Sequence, residues 1–143
     1  MTNHPMPAYH FIVEWGGTRT GFAGVSGLNI NLDVTEYRDG SDPGEVAHKL
    51  PGLTHYSNVI LKRGFLKGDN DFFNWINTKK LNQVERRDVA ISLLNENHEP
   101  VIRWKLINTF PVRLSGPVLI ANSSDIAMEE LELAHEGLII EMS

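Results

Sequence analysis

The sequence predicts a mostly-β domain with one helix, folded as a sandwich or a small barrel. Apolar and polar residues alternate with a period of two along most of the chain, the pattern of strands that bury one face. Only the segment from Asp69 to Leu81 combines an apolar face with helix-end signals. We find no internal repeat or linker in the 143 residues, so a single domain over residues 1–143 is expected.

The first three predicted strands lie between His10 and Tyr37. Alternation over His10–Trp15 is followed by Gly16-Gly17 and by a second short run, Gly21–Val25, which together predict a β-hairpin. The stretch Leu28–Tyr37 alternates more regularly and predicts a half-buried strand. Its apolar side would carry Leu28, Ile30, Leu32 and Val34, and its polar side Asn29, Asn31, Asp33 and Thr35.

The segment Asp39–Thr54 interrupts this pattern. It is dense in turn-forming residues and contains two Pro-Gly pairs, so a long loop is predicted. One interpretation is an ordinary surface loop. Three apolar residues, Val46, Leu50 and Leu53, favour the other, a segment that docks on a neighbouring chain.

A strand from Tyr56 to Phe65 is predicted before the helix. Asp69 is expected to cap that helix, Asp71 adds favourable charge in its first turn, and Lys79 and Lys80 suit its carboxyl end. The aromatic residues on it are expected to pack in the core.

The second half of the chain is predicted to be all strand. Asp88–Leu93 and Ile102–Asn108 form a hairpin around a turn at Asn95–Pro100. Pro111 and Gly116-Pro117 interrupt Val112–Ile120, which places that piece at an edge or a corner. A final strand pair is expected over Ile126–Met142, and its phase changes predict bulges or bends.

Composition narrows the classes of function. The net charge is −5 and no basic cluster is present, which argues against a nucleic-acid-binding surface. The chain has no cysteine, its first residues lack a signal-peptide pattern, and its apolar runs are too short to span a bilayer. We therefore expect synthesis in a cytoplasm and no membrane anchor.

Residues that could carry chemistry match no known arrangement. His48 and His55, and the group Glu96, His98 and Glu99, lack the spacing of a metal site. No nucleophile elbow, phosphate-binding loop or paired carboxylate is present. The sequence therefore predicts no catalytic residue, no metal and no cofactor.

Nine segments in a fixed order resemble the tube proteins of contractile tails, the T4-type phage tail tube family and its relatives in extracellular contractile injection systems. They span Tyr9 to Ile140. The segments are Phe22-Ala-Gly-Val-Ser-Gly-Leu, Glu36-Tyr-Arg-Asp-Gly, Lys49-Leu-Pro-Gly-Leu, Tyr56-Ser-Asn-Val-Ile-Leu-Lys-Arg-Gly, Phe73-Asn-Trp, Arg86-Arg-Asp-Val-Ala-Ile-Ser-Leu-Leu-Asn-Glu, Trp104-Lys-Leu-Ile-Asn-Thr-Phe-Pro, Gly116-Pro and Glu130-Leu-Glu-Leu-Ala-His-Glu-Gly-Leu.

The resemblance implies two packed antiparallel sheets with a flanking helix, and stacked hexameric rings that form an inner tube inside a sheath. The implied partners are other copies of the chain, the sheath protein, baseplate or tube-initiator proteins and a cargo in the lumen. The particle would be assembled in a bacterial cytoplasm and then act outside the cell, as a virion or a toxin-delivery particle.

The resemblance also suggests where contacts lie. Candidates for contacts between subunits are Glu36, Tyr37, Arg38, Asp39, Glu45, Val46, Lys49, Leu50 and Leu53. Candidates on a sheath-facing helix are Asp69, Asp71, Lys79 and Lys80. The polar strand faces at Asn31, Asp33 and Thr35, or at Arg103 and Lys105, either line the lumen or are ordinary solvated faces.

Two alternatives remain open at this stage. One is a type VI secretion tube protein that carries effectors in its ring. The other is a free-standing β-sandwich binding module, which would be monomeric and would use exposed aromatic residues.

Overall fold

The computed structural model describes residues 5–8, 10–17, 22–41, 44, 47–78, 83–122 and 124–142. These contain nine strands and one short helix, which confirms the mostly-β prediction. The elements are β1 (Phe11–Glu14), β2 (Phe22–Ser26), β3 (Ile30–Tyr37), β4 (His48–Tyr56), β5 (Val59–Gly64), α1 (Asp71–Ile76), β6 (Arg87–Leu94), β7 (Pro100–Ser115), β8 (Met128–Ala134) and β9 (Gly137–Met142). In the described part of the chain, no helix has the length and apolar character needed to cross a membrane.

The long strand β7 joins two antiparallel sheets. Its first half pairs with β6 on one side and β9 on the other, and β1 lies beyond β6. Its second half pairs with β8, which is followed by β5 and β2. The strand order β1-β6-β7-β8-β5-β2 does not return to β1, so the fold is a sandwich rather than a closed barrel.

The predicted β1–β2 hairpin is wrong. The two strands lie at opposite ends of the strand order, where β1 pairs with β6 and β2 pairs with β5. Their aromatic residues still meet, because the sheets face each other: the rings of Trp15 and Phe22 are 6.5 Å apart. Burial across the core decided the placement of these strands, and proximity in sequence did not.

The predicted β6–β7 hairpin is confirmed, and β7 then bends between the sheets. Asn108 lies at the bend with φ of 49°, and its N–H donates to the Asp88 carboxylate at 3.1 Å. Pro111 follows, next to a register shift. It lies in the half of β7 that forms the edge of the second sheet, which agrees with the edge position predicted from this proline. The strand ends at Ser115, before the Gly116-Pro117 pair and short of the predicted Ile120.

The carboxyl-terminal strands do not pair with each other as predicted. β8 and β9 run one after the other along β7, with Ser115 opposite Glu130 at one end and Ile102 opposite Met142 at the other. The break between them falls just before Gly137, where the phase change predicted a bend.

The core lies between the two sheets and is closed by α1. Trp15 packs against Phe72 and Trp75 of the helix, with ring centroids 5.0 Å and 5.7 Å apart. The helix is shorter than predicted: it ends at Ile76, and Lys79, Lys80 and Leu81 lie outside the described residues. Asp69 precedes it and accepts the Asp71 N–H at 3.2 Å, while the N-cap Asn70 makes no side-chain cap bond.

Arg63 of β5 is a cation in this core, with 1% of its surface exposed. Its Nε donates to Glu129 of β8 at 2.7 Å, and its two terminal nitrogens donate to the Asp69 carboxylate at 3.3 and 3.4 Å. The guanidinium carbon lies 3.8 Å from the centroid of the Phe72 ring. Two carboxylates and an aromatic face therefore compensate the cost of burying the charge.

The prediction for Leu28–Tyr37 is half right. The alternating strand forms as β3, but all of its residues are exposed in the single chain. Part of the predicted loop Asp39–Thr54 is also a strand, since β4 begins at His48 and pairs with β3 despite Pro51 and Gly52. Together β3 and β4 form a separate two-stranded sheet, called the β3–β4 hairpin below.

We expect Arg63→Ala to lower the free energy of unfolding by about 3–5 kcal/mol, because it leaves two carboxylates with no cation beside them in the core. Lys105→Ala is the matched control: Lys105 pairs with Glu141 at 3.0 Å on the surface, and its loss should change stability by less than about 1 kcal/mol. Urea unfolding followed by tryptophan fluorescence measures both variants. Equal effects of the two substitutions would contradict the central role of Arg63.

Candidate assembly surface

The β3–β4 hairpin leaves the body of the protein through two crossing segments, Gly27–Asn29 and Ser57–Asn58. Gly27 has φ of +89°, and a Cβ built on it would lie 2.0 Å from the carbonyl oxygen of Asn58. The N–H of Asn29 donates to the Gly27 carbonyl at 2.8 Å, which closes a tight turn. Only glycine fits both the backbone angle and the close approach, so this residue determines where the hairpin emerges.

Contacts from the corner between β8 and β9 hold the root of the hairpin. The two ring nitrogens of His135 lie 3.2 Å from the Ser57 carbonyl oxygen and 3.0 Å from the Gly137 carbonyl oxygen. A neutral ring can donate to one of these oxygens and a protonated ring to both. Asn58 donates to Glu132 of β8 at 2.9 Å. The root is therefore tied to the sandwich at several points.

One face of the hairpin is apolar. Ile30, Leu32 and Val34 share this face of β3 because side chains alternate along a strand, and their exposed fractions are 51%, 56% and 61%. Opposite them on β4 lie Tyr56, Thr54 and Pro51. A row of branched aliphatic side chains left in water on an isolated hairpin is typical of a surface that a second protein covers.

The other face is mainly polar. Asn31 lies opposite His55, and the His55 ring is 2.7 Å from the Asp33 carboxylate. Thr35 lies opposite Leu50 on the same face. The hairpin is therefore amphipathic: one face suits an apolar protein surface, and the other suits water or a polar surface.

Most of the predicted contact residues lie at the far end of this hairpin. Glu36 is opposite Lys49, and Tyr37 is opposite His48. Leu50 and Leu53 are exposed on β4. Two of the predicted residues, Glu45 and Val46, lie outside the described residues.

The tip is organised by its own polar side chains. Arg38 donates to the Gly44 carbonyl at 3.0 and 3.2 Å. The backbone N–H and the hydroxyl of Ser41 donate to the Asp39 carboxylate at 3.1 and 3.0 Å, and these bonds lower the pKa of Asp39, the backbone bond most. Because the folded form has the lower pKa, this stabilisation is present at neutral pH and is lost as the carboxylate is protonated in acid.

Sequence reasoning did not identify Ile30, Leu32 and Val34 as an exposed apolar face. Their alternation was assigned to a strand that packs on the protein's own core, and the same pattern serves a strand that packs on another chain. The sequence signal that could have found them is the turn-forming residues at the hairpin root. These are Gly27 and Asn29 before β3, and Ser57 and Asn58 after β4.

The predicted sheath-facing residues differ in how exposed they are. The Asp69 side chain is only 12% exposed and is paired with Arg63, so its position serves the core rather than a surface contact. Asp71 is partly buried, and Phe73 is the exposed apolar residue of α1. Lys79 and Lys80 lie outside the described residues.

A second exposed apolar surface lies between β7 and β8. This apolar loop comprises residues 116–122 and 124–127, and the exposed fractions of Val118, Leu119, Ile120 and Ile126 are 85%, 83%, 64% and 78%. The loop surrounds a concavity of about 420 Å³. Its end is attached to the body by a bond from the Phe65 N–H to the Ala127 carbonyl, 3.0 Å long.

Polar groups elsewhere include the metal and lumen candidates of the sequence. Within the described ranges, no group of three or more histidine, aspartate and glutamate side chains could hold a metal ion. Of the polar residues suggested for a lumen, Lys105 is paired with Glu141 at 3.0 Å, and the Arg103 Nε donates to Ser92 at 3.4 Å.

Comparison with known proteins shows what this arrangement resembles. The family model "T4-like virus tail tube protein gp19" matches residues 7–139. A chain of the sheath–tube complex of an extracellular contractile injection system, PVC, is 39% identical, with a TM-score of 0.90 over 99% of this chain and 94% of that chain. A chain of the tube-terminating cap of the anti-feeding prophage is 38% identical, with a TM-score of 0.91 over 100% and 95%.

More distant structures share the fold. Hcp1 from Flavobacterium johnsoniae is 14% identical, with a TM-score of 0.59 over 94% of this chain and 97% of that chain. No curated protein matches this chain.

We expect Gly27→Ala to destabilise the protein by at least about 1–2 kcal/mol, because the alanine must adopt a left-handed backbone conformation and also collides with Asn58. Gly24→Ala is the matched control, since its Cβ would meet only Lys62 Cβ at 3.9 Å, an ordinary contact. Thermal unfolding should show a midpoint a few degrees lower for Gly27→Ala alone. Faster hydrogen exchange of β3 and β4 amides would locate the damage in the hairpin, and identical midpoints for the two variants would refute the role of Gly27.

Proposed function

Because the chain belongs to the T4-like virus tail tube protein family, we propose that it is the structural subunit of the inner tube of a contractile injection particle. The observation that carries the proposal is the match of the tail tube model to residues 7–139. The 39% identity to a chain of a contractile injection system sheath–tube complex, over 99% of this chain, supports the same assignment.

The subunit forms hexameric rings that stack into a tube. A structure of the anti-feeding prophage baseplate that contains a chain of the same fold is six-fold symmetrised, which supports the ring size. Free strand edges provide a way to close such a ring: in the described part, β9 pairs only with β7, and β2 pairs only with β5. Neighbouring subunits extend the sheets by pairing at these edges, which are a hazard only in a lone chain.

The β3–β4 hairpin is the arm that contacts neighbouring subunits. Its apolar face carries Ile30, Leu32 and Val34, exposed in the single chain, and a second copy removes them from water. The contact residues suggested by sequence, Glu36, Tyr37, Arg38, Asp39, Lys49, Leu50 and Leu53, belong to the same arm and lie mostly toward its tip. Glu45 and Val46 belong to the same proposal, although they lie outside the described residues.

The mechanism is mechanical and involves no reaction of this chain. The tube is wrapped by a sheath, built on a baseplate and driven through a target envelope when the sheath contracts. The similar structures are those of a sheath–tube complex, a tube-terminating cap and a baseplate, which supports these partners. Residues of α1 and its flanks, including Asp71, Lys79 and Lys80, face the sheath.

The particle acts outside the cell that makes it. PVC is described as an extracellular contractile injection system, which supports an extracellular particle, and assembly takes place in the bacterial cytoplasm. The alternative of a type VI secretion tube has weaker support, because the likeness to Hcp1 extends only to the fold.

We expect the purified protein to form rings with an open centre and six-fold averages, which stack into tubes at high concentration. Leu32→Asp should abolish the tubes without lowering the unfolding midpoint, because it places a charge on an exposed apolar face. Thr35→Asp, on the opposite face of the same strand, should leave the tubes intact. Size-exclusion chromatography and negative-stain electron microscopy measure both variants.

Two results would count against the proposal. A monodisperse monomer of the unsubstituted protein at every concentration would contradict the tube assignment. Equal amounts of tube from the two variants would contradict the role of the apolar face and would leave the tube assignment standing.

A further inference from the structure

We infer that the apolar loop is the receptor for the β3–β4 hairpin of the subunit in the next ring, so that tubes grow by insertion of one surface into the other. The inference rests on the proposed function and deepens it. The comparisons identify the tube family, but they do not identify which surfaces of this chain join successive rings.

The position of the two surfaces is the first argument. The hairpin leaves the second sheet beside Ser26 and Val59, where β2 ends and β5 begins. The apolar loop enters the same sheet at Met128, opposite Gly64, where β5 ends. The two surfaces are therefore at opposite ends of β5, roughly 16–20 Å apart along a strand of this length.

The symmetry of a tube is the second argument. A stack in which every ring points the same way, from a baseplate to a cap, is joined by a heterologous contact, in which one surface of a subunit binds a different surface of the next. An open-ended assembly therefore requires two complementary surfaces at opposite ends of the subunit. The hairpin and the apolar loop meet this requirement.

The chemistry of the surfaces is the third argument. The hairpin presents a row of aliphatic side chains, Ile30, Leu32 and Val34. The loop presents Val118, Leu119, Ile120 and Ile126 around a concavity of about 420 Å³. Asp125 is the one charged residue in the loop sequence, so an apolar strand face can enter without burying several charges.

The attachment of both surfaces is the fourth argument. The hairpin root is held by His135 and by the Asn58–Glu132 bond, and the loop is held by the Phe65–Ala127 bond. The anchoring residues lie on β5 and β8 or directly beside them, and these two strands pair from Val59–Leu133 to Gly64–Met128. One subunit therefore holds its two surfaces at a fixed distance and orientation, which a straight stack of rings requires.

The chain has no cysteine, which allows a direct test by cross-linking. The double variant Val34→Cys/Leu119→Cys should give a ladder of disulfide-linked multimers when its tubes are oxidised and separated without reductant. A disulfide within one chain would leave a monomer band, so a ladder reports only bonds between chains. The matched control Thr35→Cys/Leu119→Cys places the first thiol on the opposite hairpin face and should give no ladder.

A single substitution provides the second readout. Leu119→Asp, at a side chain 83% exposed, should leave folding and six-fold rings intact and remove tubes. Rings without tubes, together with the ladder, would establish the hairpin–loop contact.

Two outcomes would overturn the inference. These are tubes of normal length from Leu119→Asp and a ladder from the control pair as strong as from the test pair. In the first case, binding of the sheath protein to the Leu119→Asp tubes is also measured, and its loss would assign the loop to the sheath. Absence of rings from the unsubstituted protein would instead contradict the proposed function itself, so the two failures are distinguishable.

Discussion

The buried guanidinium of Arg63 is the interaction on which the rest of the structure depends. It joins β5 to β8 through Glu129 and joins β5 to the start of the helix through Asp69, while its flat face covers Phe72. A cation in an apolar core is tolerated only where its partners are held in one geometry, because each unmade bond leaves a buried charge. The arrangement therefore specifies both the register of the second sheet and the position of α1.

The sandwich leaves apolar side chains exposed at its two ends, on the β3–β4 hairpin and on the apolar loop. The core uses the inward faces of both sheets and the helix. From the β3–β4 hairpin only Tyr56, at its root, packs against this core, and no residue of the apolar loop does. Apolar side chains that a single chain leaves in water are a cost unless another copy covers them. The same β5–β8 pair that holds Arg63 also separates these surfaces, so the most constrained part of the molecule sets the spacing of the proposed contacts.

The fold of such a subunit is shared by proteins with very different sequence identity to this chain. The fold extends to Hcp1 at 14% identity with a TM-score of 0.59, whereas chains of contractile injection systems have TM-scores of 0.87–0.91 at identities from 23% to 39%. A tube subunit meets its own copies on several sides and a sheath on another, so many surface positions are constrained as well as the core.

The sequence by itself determined the strand character, the single helix, the β6–β7 hairpin and the bend before Gly137, because periodicity and turn chemistry are local properties. The family came from the resemblance of its segments to the tail tube proteins. Only the tertiary structure decided that β1 and β2 lie in different sheets, that Asp69 is paired inside the core and that Ile30, Leu32 and Val34 are exposed. Period-two alternation records which face of a strand avoids water. It carries no information on whether the cover is the same chain or the next copy, because both bury the same side chains by the same physical effect.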